Sequence, residues 1–191
     1  MSGIGYLHPA TPTAALDEQA GGERERIGFV MNATRLWGHL PGAKQSLFDL
    51  MELAVEGASL TFRQRAVLVT ASAATLGDPY CSLAWGSRLA DHAGVAVATH
   101  ILEHRCDLLD DDDRVLAEWA RKAVAYPTAT TTDDIDRLRA AGFSDDQIFS
   151  LTAFVALRVT FSTVNASLGA RPDHELVDRA PEELRRCVEV E

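Results

Sequence analysis

From Ile27 onward the apolar positions of this chain recur at three- and four-residue spacing with few interruptions, which is the period of amphipathic helices. In "AKQSLFDLMELAVEG" the repeat runs through Leu47, Leu50, Met51, Ala54 and Val55, and Gly57 reads as its stop. "LTFRQRAVLVTASAATLG" opens on a capping box, in which Thr61 accepts from the Gln64 backbone while the Gln64 side chain reaches back. Gly77 closes that helix. Asp78 and Pro79 then stand as N-cap and first residue of a helix running to Ala93, where Gly94 breaks it. A shorter helix is predicted from Val95 to Arg105, another from "DDDDR" to Ala125, and a short one over "TTDDIDRLRAAG" capped by Thr132. The last long helix follows a second capping box, Ser144 with Gln147, and Phe143 is spaced to staple against Ile148.

No stretch alternates strictly enough for a half-buried strand, so the fold class is all-α. The helices starting at Thr61 and Ser144 are apolar nearly all round, the mark of helices buried on every side. Both follow a glycine stop and a capping box with Gln, which hints at two packed, pseudo-symmetric helical hairpins. Such apolar helices in a chain of 191 residues also point to surface covered by another subunit. Residues 1–24, rich in Gly, Ala, Pro and Thr, read as a flexible arm. The helical domain is placed at 25–173, and 174–191 is a tail or a short helix.

Composition narrows the class of partner. Hydrophobic residues at 47% and charged residues at 24% make an ordinary globular balance. The net charge is -10, and only two of the eighteen basic residues are lysines (Lys44 and Lys122), with the arginines scattered. No basic run is present to neutralise phosphates, which argues against nucleic acid. Three widely spaced cysteines, Cys81, Cys106 and Cys187, suit a reducing cytoplasm better than a disulfide framework. The first residues show no basic region followed by an apolar block, so no signal peptide is expected. The apolar run from Ala66 to Gly77 falls short of the about 20 residues a bilayer requires, so no membrane partner is expected either.

The segments "LTFRQRAVLVTASAATLGDPYCSLAWGSRLADHAGV", "LLDDDDRVLAEWARKAV", "DDIDRLRAAGFSDDQI" and "FSTVNASLGARPD" together resemble the alkylhydroperoxidase-D-like and carboxymuconolactone-decarboxylase-like superfamily. The resemblance spans roughly residues 27 to 173 and lies in the order and character of the helices. It implies an all-α bundle of about seven to eight helices that assembles as a homo-oligomer, a trimer or hexamer. Peroxidase members carry a glutamate on one helix and Cys-x-x-Cys-x-x-x-His on the next. The second cysteine attacks the peroxide, the first resolves it, and the glutamate and histidine relay protons. Laid onto this chain, the glutamate falls on Ala66, the resolving cysteine on Asp78, the attacking cysteine on Cys81 and the histidine on Trp85. Where the family often has Asn-Arg in the last helix, this chain has Ser162-Thr163.

Near the start of its helix, Cys81 would feel a dipole that favours a thiolate, while the Asp78 cap opposes it with a negative charge. Trp85, one turn on, would lie back over the thiol, and Ala66 would leave space where a base stood. The expected pocket is dry, roomy and poor in acid–base groups. Its candidate catalytic residues are Cys81 and Asp78, and its candidate pocket residues are Trp85, Ala66, Tyr80 and His92. Two functions compete. One is thiolate attack by Cys81 on a hydroperoxide, with the sulfenic acid reduced by a separate thiol. The other is non-redox binding or rearrangement of a small apolar metabolite, decarboxylase-, lyase- or isomerase-like, with Cys81 an inert buried thiol. A scaffolding role is a third, and none involves a cofactor or a metal.

Three further features carry candidate chemistry. "HILEH" matches the H-x-x-E-H pattern of inverted zinc peptidases through His100, Glu103 and His104, against a plain solvated helix face. Asp110 to Asp113 lack calcium-loop spacing and suit a helix start instead. Arg158, inside the apolar last helix, requires a partner or an anionic ligand, and a salt bridge is the simpler expectation.

Overall fold

The capping residues named above set the helix boundaries of the computed structural model, which describes residues 4–188. Among those residues there are eleven α-helices, one 3-10 turn and no strand. They are α1 (Ala14–Ile27), α2 (Asn32–Trp37), α3 (Pro41–Ala58), α4 (Phe62–Leu76), α5 (Pro79–Ala93) and α6 (Val95–Leu102). After these come α7 (Asp111–Ala125), the 3-10 turn Pro127–Ala129, α8 (Thr132–Ala140), α9 (Asp145–Ser167), α10 (His174–Arg179) and α11 (Glu182–Cys187). Both capping boxes form, Thr61 with Gln64 and Ser144 with Gln147, and Asp78 caps α5 by accepting from the Cys81 N–H.

The bundle is built around α4. Its residues from Ala66 to Ala73 are all buried, and it packs against α5, α6, α7 and α9. The companion helix α9 departs from the expectation of burial on every side. It buries one face through Ile148, Leu151, Val155, Arg158 and Ser162, and leaves Phe149 exposed. By length and composition α9 is apolar enough to cross a membrane, yet it lies against α3, α4 and α7 within the bundle.

Several boundaries correct the sequence reading. Gly57 does not end α3; the cap is Ser59, in the left-handed region at φ 52°. Gly57 serves packing instead, because a Cβ there would come within 2.7 Å of Ser150 Oγ on α9. Thr131, not Thr132, caps α8, in a capping box with Asp134. Helix α6 ends at Leu102 rather than Arg105.

The arm expected over 1–24 is helical from Ala14, and this raises the helix count above seven to eight. Gly21 and Gly22 sit mid-helix and obscure its periodicity. Glu23 anchors α1 by turning inward: it accepts from Met31 N at 2.9 Å, from the Thr34 hydroxyl, and from Lys44 Nζ at 3.4 Å. The C-terminal segment forms two short helices, and α11 seats the fully buried Leu184 beside α5 and α6.

Two long-range contacts fix α2 over the bundle. Trp37 Nε1 donates to Asn165 Oδ1 at 2.9 Å, and its ring stacks on Phe161 at 5.4 Å. The Tyr80 hydroxyl on α5 donates to Asp173 Oδ2 at 2.6 Å, while Asp173 Oδ1 accepts from Asn32 N at 2.7 Å. Asp173 is buried, so removing its phenol donor leaves a carboxylate oxygen unsatisfied. Tyr80→Phe is expected to lower unfolding free energy by about 1–3 kcal/mol. The urea midpoint should fall at an unchanged m-value.

Candidate functional site

Helices α1, α2, α3, α4, α5 and α9 line a partly open cavity of about 540 Å³. Cys81, Ala84, Trp85 and Arg88 reach it from α5 because residues spaced by three or four share one helix face. Arg158 and Phe161 enter from α9, Phe48 and Lys44 from α3, and Arg65 from α4. Tyr80 also lines it, although its hydroxyl is committed to Asp173.

Arg158 decides the character of this site. It is 5% exposed, and it forms no salt bridge with any described carboxylate. The salt bridge anticipated for it is therefore not there. Its Nη2 lies 3.5 Å from Cys81 Sγ and its Nη1 3.9 Å from Met51 Sδ, while its Nε has no hydrogen-bond partner. The guanidinium also sits 5.3 Å from the Trp85 ring centroid and 5.2 Å from that of Phe161. Stacking on two aromatic faces recovers part of the lost hydration. Arg158 thus bridges the thiol and the indole that were expected to touch one another.

Cys81 is 2% exposed and its thiol is pushed up to about 12. Burial is the largest cause; Arg158 pulls the other way, Asp78 adds to the rise, and the Ser162 hydroxyl favours the thiolate. Asp78 lies behind the thiol, away from the cavity wall. One of its oxygens accepts from Cys81 N at 3.2 Å, and the other is buried with no partner. The result is a neutral thiol held between a carboxylate and a guanidinium.

The remaining sequence candidates fall elsewhere. Ala66 is fully buried in the core and does not line the cavity, so its small side chain opens no space there; α4 reaches the cavity through Arg65. His92 is exposed near the end of α5, with its ring 4.3 Å from Phe62, and it is absent from the cavity wall. Phe62 in turn stacks on Trp85 at 6.1 Å. Cys106 Sγ accepts from Arg121 at 2.9 Å and Cys187 lies 3.9 Å from Glu103, so neither touches Cys81; all three thiols are free. In the "HILEH" segment His100 is buried with Nδ1 3.2 Å from Asp107, whereas His104 lies beyond the helix end at φ 60°. The two imidazoles do not share a helix face.

The cavity wall is nonetheless charged, through guanidinium groups that hold their protons and are not acid–base groups. Arg65, Arg88 and Arg158 all project to the cavity. Arg88 was detectable in principle, since it follows Cys81 by seven residues and Trp85 by three on one face of α5. The approach of Arg65 and Arg158 required knowledge of how α4 and α9 pack.

No family model and no curated protein sequence matches the chain. Solved structures do. An uncharacterized peroxidase-related protein from Ralstonia eutropha, described as an alkylhydroperoxidase AhpD core, superimposes with a TM-score of 0.82 at 20% identity, over 94% of this chain and 98% of its own. A second peroxidase-related protein, from Silicibacter sp., gives 0.79 at 19% identity over 91% and 94%. The debrominase Bmp8, as a cysteine-to-alanine variant in complex with 2,3,4-tribromopyrrole, gives 0.73 at 15% identity over 92% and 97%. The chain therefore has the AhpD-like helical fold of peroxidase-related proteins, a fold that also carries debrominase activity.

The charges flanking Cys81 predict its reactivity. In a Cys106→Ser, Cys187→Ser background, alkylation of Cys81 should be slow at neutral pH. It should keep climbing with pH without a plateau short of the thiol's elevated value of about 12. Asp78→Asn removes a negative charge beside the sulfur and should speed alkylation. Arg158→Met removes the positive one and should slow it. Stopped-flow kinetics with a thiol probe measures all three.

Proposed function

We propose that this protein is a thiol-dependent oxidoreductase of the peroxidase-related type, with Cys81 as its nucleophile and a separate small thiol as reductant. The observation that carries the reading is Arg158 Nη2 at 3.5 Å from Cys81 Sγ, with no salt bridge from Arg158 to a carboxylate among the described residues. Arginine keeps its proton in proteins, so ionisation of the thiol supplies the anion that this buried cation lacks.

The chemistry balances with these groups. Asp78 takes the thiol proton, and the sulfur attacks the terminal oxygen of a hydroperoxide. An S–O bond forms, the O–O bond breaks, and the departing alkoxide leaves as an alcohol carrying the thiol's proton. Cys81 becomes a sulfenic acid, oxidised by two electrons. An external thiol displaces water to give a mixed disulfide, and a second thiol releases Cys81 with formation of the external disulfide. Recycling of this kind suits a reducing cytoplasm. Assembly into a homo-oligomer, a trimer or hexamer, is part of the proposal, supported by the exposure of Leu50 and Leu53 on α3 and Phe149 on α9.

One observation favours a second reading. Burial pushes the Cys81 thiol up, which suits a pocket that binds a small molecule and acts on it without redox turnover. Hydroperoxide consumption in the presence of dithiothreitol separates the two. Under the first reading Cys81→Ser reduces it to the uncatalysed background, and Asp78→Asn slows it by roughly 100-fold even though its thiol alkylates faster. Consumption by Cys81→Ser at the wild-type rate would sink the redox reading.

A further inference from the structure

The cavity beside Cys81 is cationic in a protein of net charge -10. Five basic side chains line it, Arg26, Lys44, Arg65, Arg88 and Arg158, against two acids, Glu23 and Glu52. Both acids are already engaged. Glu23 holds Lys44 and Thr34, and Glu52 lies 4.0 Å from Arg65. Among the described residues no carboxylate pairs with Arg26, Arg88 or Arg158. These groups also feel one another: burial first, then Arg158, Arg26 and Arg65, pull the Arg88 guanidinium below its ordinary value. The Nε atoms of Arg65 and Arg158 are buried with no hydrogen-bond partner.

Like charges converging on one partly buried cavity oppose folding, and an anion bound there offsets that cost. The walls limit what that anion is. Trp85, Phe48, Phe161 and Ala84 supply apolar surface next to the guanidiniums, and Arg88 lies 4.8 Å from the Trp85 centroid. A compact, strongly hydrated dianion leaves those rings unused. A carboxylate fits the planar fork of a guanidinium in bidentate fashion and carries little charge to desolvate.

We propose that this cavity binds a small amphipathic organic acid, its carboxylate held by Arg158 and Arg88 and its apolar body lying along Trp85 and Phe161. The proposal replaces the apolar metabolite expected from sequence with an anionic one. It deepens the reading of the Cys81 site by making its hydroperoxide substrate one that carries a carboxylate, and it rests on that reading only in taking the cavity as the site. The cavity, at about 540 Å³, lies within the range usual for small-molecule pockets.

Calorimetric titration of the full chain with octanoate, octan-1-ol and inorganic phosphate tests it. Octanoate should bind, with octan-1-ol and phosphate each weaker by about tenfold or more. Arg158→Met and Arg88→Gln should each weaken octanoate by about tenfold to a hundredfold. Arg158→Met also distinguishes a binding role from a structural one. Replacing an unpaired buried charge by an apolar side chain of similar size should leave the unliganded thermal midpoint equal or higher, whereas a structural arginine would lower it. Equal affinity for octan-1-ol, equal affinity for phosphate, or unchanged octanoate affinity in both variants would overturn the proposal. Cys81→Ser should still bind octanoate, so failure of the redox reading and failure of this one are read from different measurements.

Discussion

A guanidinium 3.5 Å from a buried thiol, with no salt-bridge partner among the described residues, is the constraint on which the site depends. Burying an unpaired charge opposes folding by several kcal/mol, and a domain's whole stability is of the order of 5–15 kcal/mol. The arrangement survives because the frame around it is fixed independently. Helix α4 is buried along its middle, both capping boxes close, and Asp173 ties α2 to α5. Arg158 is therefore held by its backbone in a place its charge disfavours. Local cost of this kind within a well-determined scaffold is characteristic of functional sites.

The comparisons carry the frame and leave the chemistry to the side chains. At 15–20% identity, helix order and packing are shared with peroxidase-related proteins and with a debrominase. A fold does not select a reaction; the groups projecting into its cavity do. Here they are one thiol and several guanidiniums, with the Asp78 carboxylate behind the thiol and off the wall, and no histidine among the described residues lines it.

Local signals were legible and long-range ones were not. Thr61–Gln64, Ser144–Gln147, Asp78 and Gly94 mark helix ends through contacts within a few residues, and the structure forms all of them. Gly57 misled because its role lies across space, against Ser150, rather than along the chain. Helix α1 was hidden for the opposite reason: two adjacent glycines weaken its pattern, and its stability comes from Glu23 reaching Met31, Thr34 and Lys44. At the site, the i, i+4, i+7 face of Cys81, Trp85 and Arg88 was available to inspection. That Arg158 would find a sulfur rather than a carboxylate was not, since it depends on how α9 lies against α5.

One guanidinium can serve both the thiol and a bound acid. It carries five N–H donors in a rigid fork, and Arg158 directs Nη2 to Cys81 while its Nε is unengaged. A carboxylate on the free edge would compete electrostatically with the thiolate, because both draw on one positive charge. Arg88 relieves that competition: with no carboxylate partner among the described residues, it supplies a second cation on the same face of Trp85's helix. An acid shared by Arg88 and Arg158 leaves Nη2 of Arg158 on the sulfur and neutralises the repulsion between the two arginines. Occupation of the cavity then lowers the electrostatic cost of the empty site and orients an apolar chain toward Cys81 in a single event.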